Sequence, residues 1–157
     1  MKTAIYAGSF DPITNGHMDI LEQASEIFDK VIIAVAYNPN KKGFLPIEKR
    51  LELINQSVAH FKNVEVDSYE GLTVNYANKV GAKFLIRGLR NPSDFDYELQ
   101  ISQTNNALDK NIDTIFFTSK LENNFVSSSM IREIYLNKGD ISKFVPKCVC
   151  EELKRWI

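Results

Sequence analysis

The sequence has few cysteines, almost no net charge and no long apolar run. Cys148 and Cys150 are the two cysteines, and without histidines close by they are too few for a tetrahedral zinc site, so we assign them no chemistry. A net charge of −1 argues against nonspecific nucleic-acid binding, which usually needs a basic excess. The longest apolar stretch, Val31–Ala36, is too short to cross a bilayer, and the run before Gly8 is too short for a signal peptide. We therefore expect a cytoplasmic protein with no nucleic-acid and no membrane partner.

Three common catalytic motifs are also absent. The chain contains no Gly-x-Gly-x-x-Gly, no Gly-Lys-Ser/Thr phosphate loop and no Gly-x-Ser-x-Gly nucleophile elbow. Dinucleotide binding by the usual fingerprint and acyl transfer through a serine elbow are therefore disfavoured. What remains is chemistry in which the protein aligns bound reactants and neutralises their charge.

Strand-like and helix-like segments alternate along the whole chain. Periodicity predicts strands over 3–7, 31–36, 64–66, 84–86 and 115–117. It predicts helices over 15–28, from Pro46, over 74–80, over 93–108, from 128 or 129 to 138, and over 146–157. Such alternation implies right-handed βαβ crossovers. We expect one doubly wound, Rossmann-like α/β domain over residues 1–157, with a five-stranded parallel sheet of order 3-2-1-4-5 and helices on both faces.

Four segments that directly follow predicted strands have a shared chemical character. They are Gly8–His17 (GSFDPITNGH), 38–43 (NPNKKG), 87–90 (RGLR) and 123–129 (NNFVSSS). Each offers cations, hydroxyl groups or free backbone N–H groups, which are the groups that bind phosphate. Because ligands of doubly wound sheets bind at the carboxyl ends of the strands, these segments predict an anion site there.

The first segment has a structural alternative. Gly8 and Ser9 could form a tight strand exit, and Asn15-Gly16 could form a hairpin turn. The residues after Gly16 follow a helical period, which disfavours the hairpin and places His17 in the first turn of a helix. Anions are attracted to that position, so we favour the functional interpretation.

The cationic segments are weaker signals when each is taken alone. Lys41 and Lys42 could be solvated surface charge, and Arg87 and Arg90 could each be the same. Gly88, however, lies between the two arginines, and a residue without a side chain lets backbone and guanidinium approach one ligand together.

The acidic and serine-rich segments also have two interpretations each. Asp94, Asp96 and Glu98 could suggest a metal cluster, but we interpret the aspartates as helix-capping residues and Glu98 as a ligand contact. Residues 127–129 are three serines that could cap a helix, or offer donors to phosphate oxygens.

Taken together, these motifs resemble a known family. The chain is similar over essentially its full length to the nucleotidyltransferases with a T/HxGH signature, and within them to the bacterial phosphopantetheine adenylyltransferases. The matching residues are Ser9–Pro12, Thr14–His17, Lys41, Arg87–Arg90, Tyr97–Glu98 and Val126–Ser129.

The resemblance implies a reaction between two bound phosphates. ATP and 4′-phosphopantetheine would give dephospho-coenzyme A and pyrophosphate, the penultimate step of coenzyme A synthesis, by direct in-line attack without a covalent intermediate. It implies Mg²⁺ held mainly by the nucleotide phosphates rather than by protein ligands. It also implies a homohexamer.

The resemblance further assigns residues to roles. The catalytic residues would be His17, Ser9, Lys41 and Arg90. The acceptor would be bound by Ser9, Lys41, Thr73 and Arg87. ATP would be bound by Ser9, Phe10, His17, Gly88, Leu89, Arg90, Glu98, Asn123, Asn124, Phe125, Val126, Ser127, Ser128 and Ser129. We expect His17, Lys41, Arg87 and Ser128 to meet around one cavity.

Three positions depart from the common family pattern, and two other functions stay open. Ser9 replaces a threonine, Val126 an isoleucine, and Asn123 an aromatic residue found in some members. The chain could be a nucleotidyltransferase that uses nicotinate mononucleotide or a phosphorylated alcohol. It could also be a non-catalytic module that senses ATP, although such a module would not need Lys41 and Arg87 for a second phosphate.

Overall fold

Five parallel strands in the order β3-β2-β1-β4-β5 form the centre of the computed structural model, which describes residues 1–156. The strands are β1 (Thr3–Gly8), β2 (Lys30–Ala36), β3 (Val64–Tyr69), β4 (Phe84–Leu89) and β5 (Asp113–Thr118). The helices are α1 (Asn15–Ile27), α2 (Ile47–Val58), α3 (Thr73–Val80), α4 (Pro92–Leu108), α5 (Ser128–Leu136) and α6 (Lys147–Lys154), with a 3₁₀ turn over Leu121–Asn123. The predicted α/β fold and its strand order are confirmed.

Alternate side chains of β1 belong to two different cores, one on each face of the sheet. Ala4 and Tyr6 pack into the larger core, to which α1, α2, α5 and α6 contribute. Ile5 and Ala7 point the other way, into a smaller core that includes Val74 of α3. A strand buried on both faces is typical of a parallel sheet covered by helices on each side. Among residues 1–156, no helix has the length and hydropathy needed to span a lipid bilayer.

Strands β3 and β4 are longer than their apolar runs predict. β4 continues through Arg87, Gly88 and Leu89, and Arg87 pairs with Phe116 of β5. The prediction that residues 87–89 form a loop is therefore wrong. An apolar run marks only the buried part of a strand, whereas the backbone ladder continues wherever a neighbouring strand offers partners.

Two helix ends also differ from their predicted form. The N-cap of α4 is Asn91, whose side chain accepts the N–H of Asp94, so the cap is not an aspartate. α5 ends at Leu136 rather than at residue 138, and the residue with left-handed backbone is Lys138 (φ 62°), not Gly139. A Cβ atom on Gly139 would lie 2.6 Å from Ile134 Cγ2, so this glycine permits close packing instead.

The last helix, predicted over 146–157, spans Lys147–Lys154, and residue 157 lies outside the described residues. Pro46 and Pro146 stand immediately before α2 and α6 as their N-cap residues. Proline suits a helix start because the first N–H groups have no partner within the helix.

Candidate active site

A cavity of about 290 Å³ opens at the carboxyl ends of β1 and β4, where the strand order reverses. Ligands of doubly wound folds bind at this position. The predicted site residues that line the cavity are Ser9, Phe10, His17, Arg87, Gly88, Leu89, Arg90, Glu98, Val126, Ser127, Ser128 and Ser129.

Five of the predicted site residues do not line this cavity. Lys41 is exposed on the loop between β2 and α2, and Thr73 hydrogen-bonds to the Tyr69 hydroxyl at 2.8 Å. The others lie in the segment after β5 and are Asn123, Asn124 and Phe125. The expected meeting around one cavity therefore holds for His17, Arg87 and Ser128, and in this structure it does not include Lys41.

His17 is held by the start of its own helix. Thr14 is the N-cap of α1, and its side chain accepts the backbone N–H of His17. In return the Thr14 backbone N–H donates to His17 Nδ1 at 3.0 Å. Since Nδ1 is the acceptor, the proton of the neutral imidazole lies on Nε2. This capping box leaves Nε2–H available as a donor to a ligand.

The imidazole is uncharged at neutral pH. Burial, together with the smaller effect of the positive charges of Arg90 and Arg87, lowers the pKa of His17 to about 4. The ring of Phe10 packs edge-on against it at a centroid distance of 4.9 Å. His17 is therefore a rigid, neutral hydrogen-bond donor rather than a further cation.

Arg87 is fixed in one plane by three hydrogen bonds. Its Nε and Nη2 donate to the two carboxylate oxygens of Glu98 at 2.6 and 2.7 Å, and Nη1 donates to the Ala7 carbonyl at 3.0 Å. A guanidinium has five N–H donors, so two remain for a ligand. Glu98 thus positions Arg87 through a bidentate ion pair.

A third arginine in the cavity is missing from the sequence prediction. Arg132 of α5 lines the cavity, donating from Nη1 to the Asp11 carbonyl at 2.8 Å and from Nη2 to Ser129 Oγ at 3.2 Å. It lies one helical turn after Ser128, a spacing that the predicted helix could have revealed. Arg87, Arg90 and Arg132 outnumber Glu98, the one carboxylate of the lining, so the cavity is locally positive in a chain with almost no net charge.

The three serines at the start of α5 have separate structural partners. Ser127 is the N-cap and accepts the N–H of Met130 at 3.1 Å. Ser128 Oγ donates to the Pro12 carbonyl at 2.8 Å, while Ser129 Oγ accepts from Arg132. These bonds direct the first turn of α5 towards the cavity, where helix N–H groups favour an anion.

Asn123 has a supporting position. It is buried, and its Nδ2 donates to Asp19 Oδ2 at 2.8 Å. The same oxygen accepts the backbone N–H of Lys120 at 3.3 Å. The Asp19 carboxylate thereby fixes the segment after β5 to α1, a role that sequence reasoning missed because no motif marks it.

Comparisons with known proteins identify the family of this chain. The profile of the cytidylyltransferase-like family matches residues 5–134. A phosphopantetheine adenylyltransferase of Lachnoclostridium phytofermentans is 49% identical over 96% of this chain and 93% of its own length. One of Crocosphaera subtropica is 49% identical over 98% of each chain. The chain belongs to the phosphopantetheine adenylyltransferase family.

Further similarities bear on this family assignment. The phosphopantetheine adenylyltransferase of Alkaliphilus metalliredigens is 45% identical over 99% of both chains. A crystal structure from Vibrio parahaemolyticus, provisionally named nicotinate-nucleotide adenylyltransferase, superimposes with a TM-score of 0.71 at 21% identity, over 98% of this chain and 99% of that one. At that identity the likeness supports the shared fold alone. The resemblance inferred from the motifs is confirmed by the sequence relatives.

Proposed function

We propose that this enzyme transfers the adenylyl group of ATP to 4′-phosphopantetheine, giving dephospho-coenzyme A and pyrophosphate. The observation that carries the proposal is the convergence of His17, Arg87, Arg90 and Arg132 on one cavity. Relatives that share nearly half of the residues over nearly the full length carry the name of this activity.

In the proposed reaction, a phosphate oxygen of the acceptor attacks the α-phosphorus of ATP. The bond between that phosphorus and the bridging oxygen to the β-phosphorus breaks, and pyrophosphate leaves with the electron pair. His17 Nε2–H would donate to the α-phosphate as its charge rises, assisted by the hydroxyl of Ser9. A fixed donor of this kind stabilises the transition state without reorganisation. A neutral imidazole suits the task because it donates without having to lose a proton first.

The two substrates would use different parts of the cavity wall. Arg90, Arg132 and the first turn of α5 would bind the β- and γ-phosphates, while residues 88–89 and Glu98 would contact the nucleoside. The remaining donors of Arg87, together with Lys41, would bind the phosphate of the acceptor.

The pantetheine arm would extend towards the ends of β2 and β3. A shallow depression lies there, lined by Tyr37, Asn38, Tyr69 and Gly71 among others. Thr73 is joined to it through the hydrogen bond with the Tyr69 hydroxyl. This depression continues from the loop that carries Lys41, which supports an acceptor lying across both.

Mg²⁺ would enter as part of the nucleotide. Both oxygens of Glu98 are already bonded to Arg87, so the cavity wall has no carboxylate free to hold a cation. Within residues 1–156 no cluster of three metal-ligating side chains occurs. Bound to the phosphates of ATP, the ion would neutralise charge on the leaving pyrophosphate.

The chain would work as a homohexamer in the cytosol. Helix α4 supports association, since among its residues only Glu98 is buried, while Tyr97 and Leu108 are 64% and 56% exposed. Exposed apolar side chains on one helix are typical of an association surface. Light scattering coupled to gel filtration would measure the mass, and a purely monomeric protein would contradict this part of the proposal.

Pyrophosphate release tests the proposed function. The assay contains MgATP with 4′-phosphopantetheine, nicotinate mononucleotide or glycerol phosphate as the acceptor. We expect sustained pyrophosphate release when phosphopantetheine is the acceptor and none with the other two acceptors. Release with another acceptor would identify a different nucleotidyltransferase, and ATP binding without release from any acceptor would favour the sensing module.

A further inference from the structure

Asp11 lies between β1 and α1, and its side chain is directed away from solvent, with 7% of the residue exposed. Each carboxylate oxygen accepts one backbone N–H from the loop between β2 and α2. Phe44 donates to Oδ2 at 2.7 Å and Leu45 donates to Oδ1 at 2.8 Å. Two adjacent N–H groups bonded to one carboxylate are a strong, charge-assisted contact.

Arg50 of α2 completes the contact from the other side. It is also buried, and its Nε lies 4.0 Å from Asp11 Oδ1. Nε donates to the Leu45 carbonyl at 3.0 Å, and Nη1 donates to the Ser9 carbonyl at 3.1 Å. Asp11 and Arg50, which we call the Asp11–Arg50 pair, therefore join the backbone of the β2–α2 loop to the loop that begins with Ser9.

The β2–α2 loop lies directly on this pair. A Cβ atom added to Gly43 would be 2.8 Å from Asp11 Oδ2 and 3.0 Å from Arg50 Nη2. No side chain fits in that space without displacing the pair or the loop. The glycine that follows Lys41 and Lys42 in the sequence is therefore required by the contact.

The backbone next to Asp11 is held by the cavity wall. Arg132 Nη1 donates to the Asp11 carbonyl, and Ser128 Oγ donates to the Pro12 carbonyl, both at 2.8 Å. The backbone of Asp11 thus contacts the cavity wall, and its side chain contacts the loop that carries Lys41. It connects the two without lining the cavity itself.

We propose that Asp11 is a positioning residue that places Lys41 relative to the cavity, and so sets the affinity for the acceptor phosphate. The proposal rests on the proposed function. Lys41 is exposed, and its loop is fixed beyond it by the bonds of Phe44 and Leu45 to Asp11. Loss of these bonds frees the lysine end of the loop, while Arg90 and the first turn of α5 stay in place.

The first test is the Asp11→Asn variant, which keeps the shape of the side chain and one acceptor oxygen. Its amide NH₂ group faces one of the two backbone N–H groups and cannot accept a hydrogen bond from it. We expect the KM for phosphopantetheine to rise about tenfold, with the Kd of ATP changed by less than about twofold. An equal loss for both substrates, or an unchanged KM, would overturn the proposal. Asp29→Asn is the control, since Asp29 also accepts a backbone N–H, from Lys2, but far from the cavity.

A double-mutant cycle separates positioning from general destabilisation. In a Lys41→Ala background, Asp11→Asn should raise the KM by less than about twofold more, because the group that it positions is gone. A full additional tenfold effect would show that Asp11 does not act through Lys41. Gly43→Ala, which displaces the loop without changing charge, should reproduce the KM increase even if Asp11→Asn fails to fold.

Hydrogen exchange gives a readout that does not depend on turnover. In Asp11→Asn or Gly43→Ala, amides 41–45 should exchange faster while amides 119–127 keep their rates. Unchanged exchange over 41–45 would overturn the positioning role. A wild-type chain that releases no pyrophosphate with phosphopantetheine would contradict the proposed function, and the exchange data would still decide whether Asp11 holds the loop.

Discussion

Two carboxylates flank His17 in the sequence, and each holds one side of the cavity in place. Asp11 and Asp19 are both 7% exposed, but they hold their segments differently. Asp11 accepts two backbone N–H groups at a point beyond Lys41, whereas Asp19 accepts one backbone N–H and the side-chain amide of Asn123. The bonds to Asp11 leave Lys41 on an exposed loop, whereas the bonds to Asp19 fix the segment that directly precedes α5.

The difference indicates how each side would meet its substrate. After β5, the chain reaches the cavity as Val126 and the serines of α5, whose hydroxyl groups bond to Met130, Pro12 and Arg132. After β2, the chain is joined to β3 at Tyr37 and to Asp11 at Phe44 and Leu45, and Lys41 lies exposed between these points, so it would have to reach inwards to meet a ligand. We therefore expect the ATP side to be preorganised and the acceptor side to be adjustable.

His17→Ala has the largest expected effect because His17 lies between the two sides. We expect kcat to fall about 100-fold or more, the loss found on removing one transition-state donor, while ATP still binds. Steady-state kinetics and calorimetric ATP titration measure the two quantities. His60→Ala is the control, since His60 is exposed and lies at the end of α2. Unchanged turnover in His17→Ala would refute the role of this histidine.

Lys41→Ala should affect the acceptor side alone. Loss of a charge-assisted bond to phosphate should raise the KM for phosphopantetheine about tenfold, with little change in ATP affinity. Lys42→Ala is a matched control, because Lys42 is an equally exposed lysine of the same loop. Equal effects of the two variants would mean that neither lysine has a specific contact, and the adjustable side would have to be assigned elsewhere.

Asn123→Ala should affect the ATP side with a smaller kinetic effect. The variant removes the 2.8 Å bond to the buried Asp19 carboxylate. Leaving the buried carboxylate with the Lys120 N–H but without its shorter hydrogen bond should lower the free energy of unfolding by about 1–2 kcal/mol and weaken ATP binding a few-fold. Denaturant unfolding and ATP titration measure both, with Asn55→Ala as the control, since Asn55 is an exposed asparagine of α2 that bonds to the Leu51 carbonyl. An increase in the acceptor KM instead would contradict the division into two sides.

Near neutral pH, acid has the smallest expected effect, and it acts on stability rather than on either side of the cavity. The pKa of His17 is about 4 in the folded state and about 6.5 when unfolded, so the unfolded chain binds more protons between these values. The contribution of His17 to the free energy of unfolding therefore decreases as pH falls through this window, on the order of 0.5 kcal/mol between pH 7 and 6. Unfolding of wild type and His17→Asn across pH 4–8 isolates it. A stability difference that stays constant over this range would show that the folded imidazole is not held neutral.

The sequence predicts the strand order and the end of the sheet at which the cavity lies. The alternation of apolar runs with amphipathic segments predicts the fold, and most of the cavity lining comes from the ends of β1 and β4 and from the segments after β1 and β5. The sequence predicts a loop at Arg87 and Gly88 because polar residues interrupt the apolar run, whereas the backbone pairing with β5 continues through both residues. Periodicity reports side-chain burial and does not report where backbone pairing stops.

The supporting contacts could not be read from the sequence. Asp11 and Asp19 bond to residues far away along the chain, and such contacts leave no periodic signal. The three consecutive serines 127–129 cannot be distinguished by sequence pattern. Each bonds to a different partner, and the position of α5 determines which. The position of Lys41 in a loop after a central strand predicts that it lies at the cavity, whereas the length of that loop leaves Lys41 exposed to solvent.

The ion pair between Arg87 and Glu98 has one further consequence for acceptor binding. Two N–H donors of Arg87 bond to Glu98 and a third bonds to the Ala7 carbonyl, so the guanidinium cannot rotate towards an anion bound elsewhere. The Arg87 guanidinium is therefore a fixed cation beside the carboxyl end of β1. In the proposed reaction, the phosphate of the acceptor would therefore have to come to the guanidinium of Arg87, because the guanidinium cannot move to meet it.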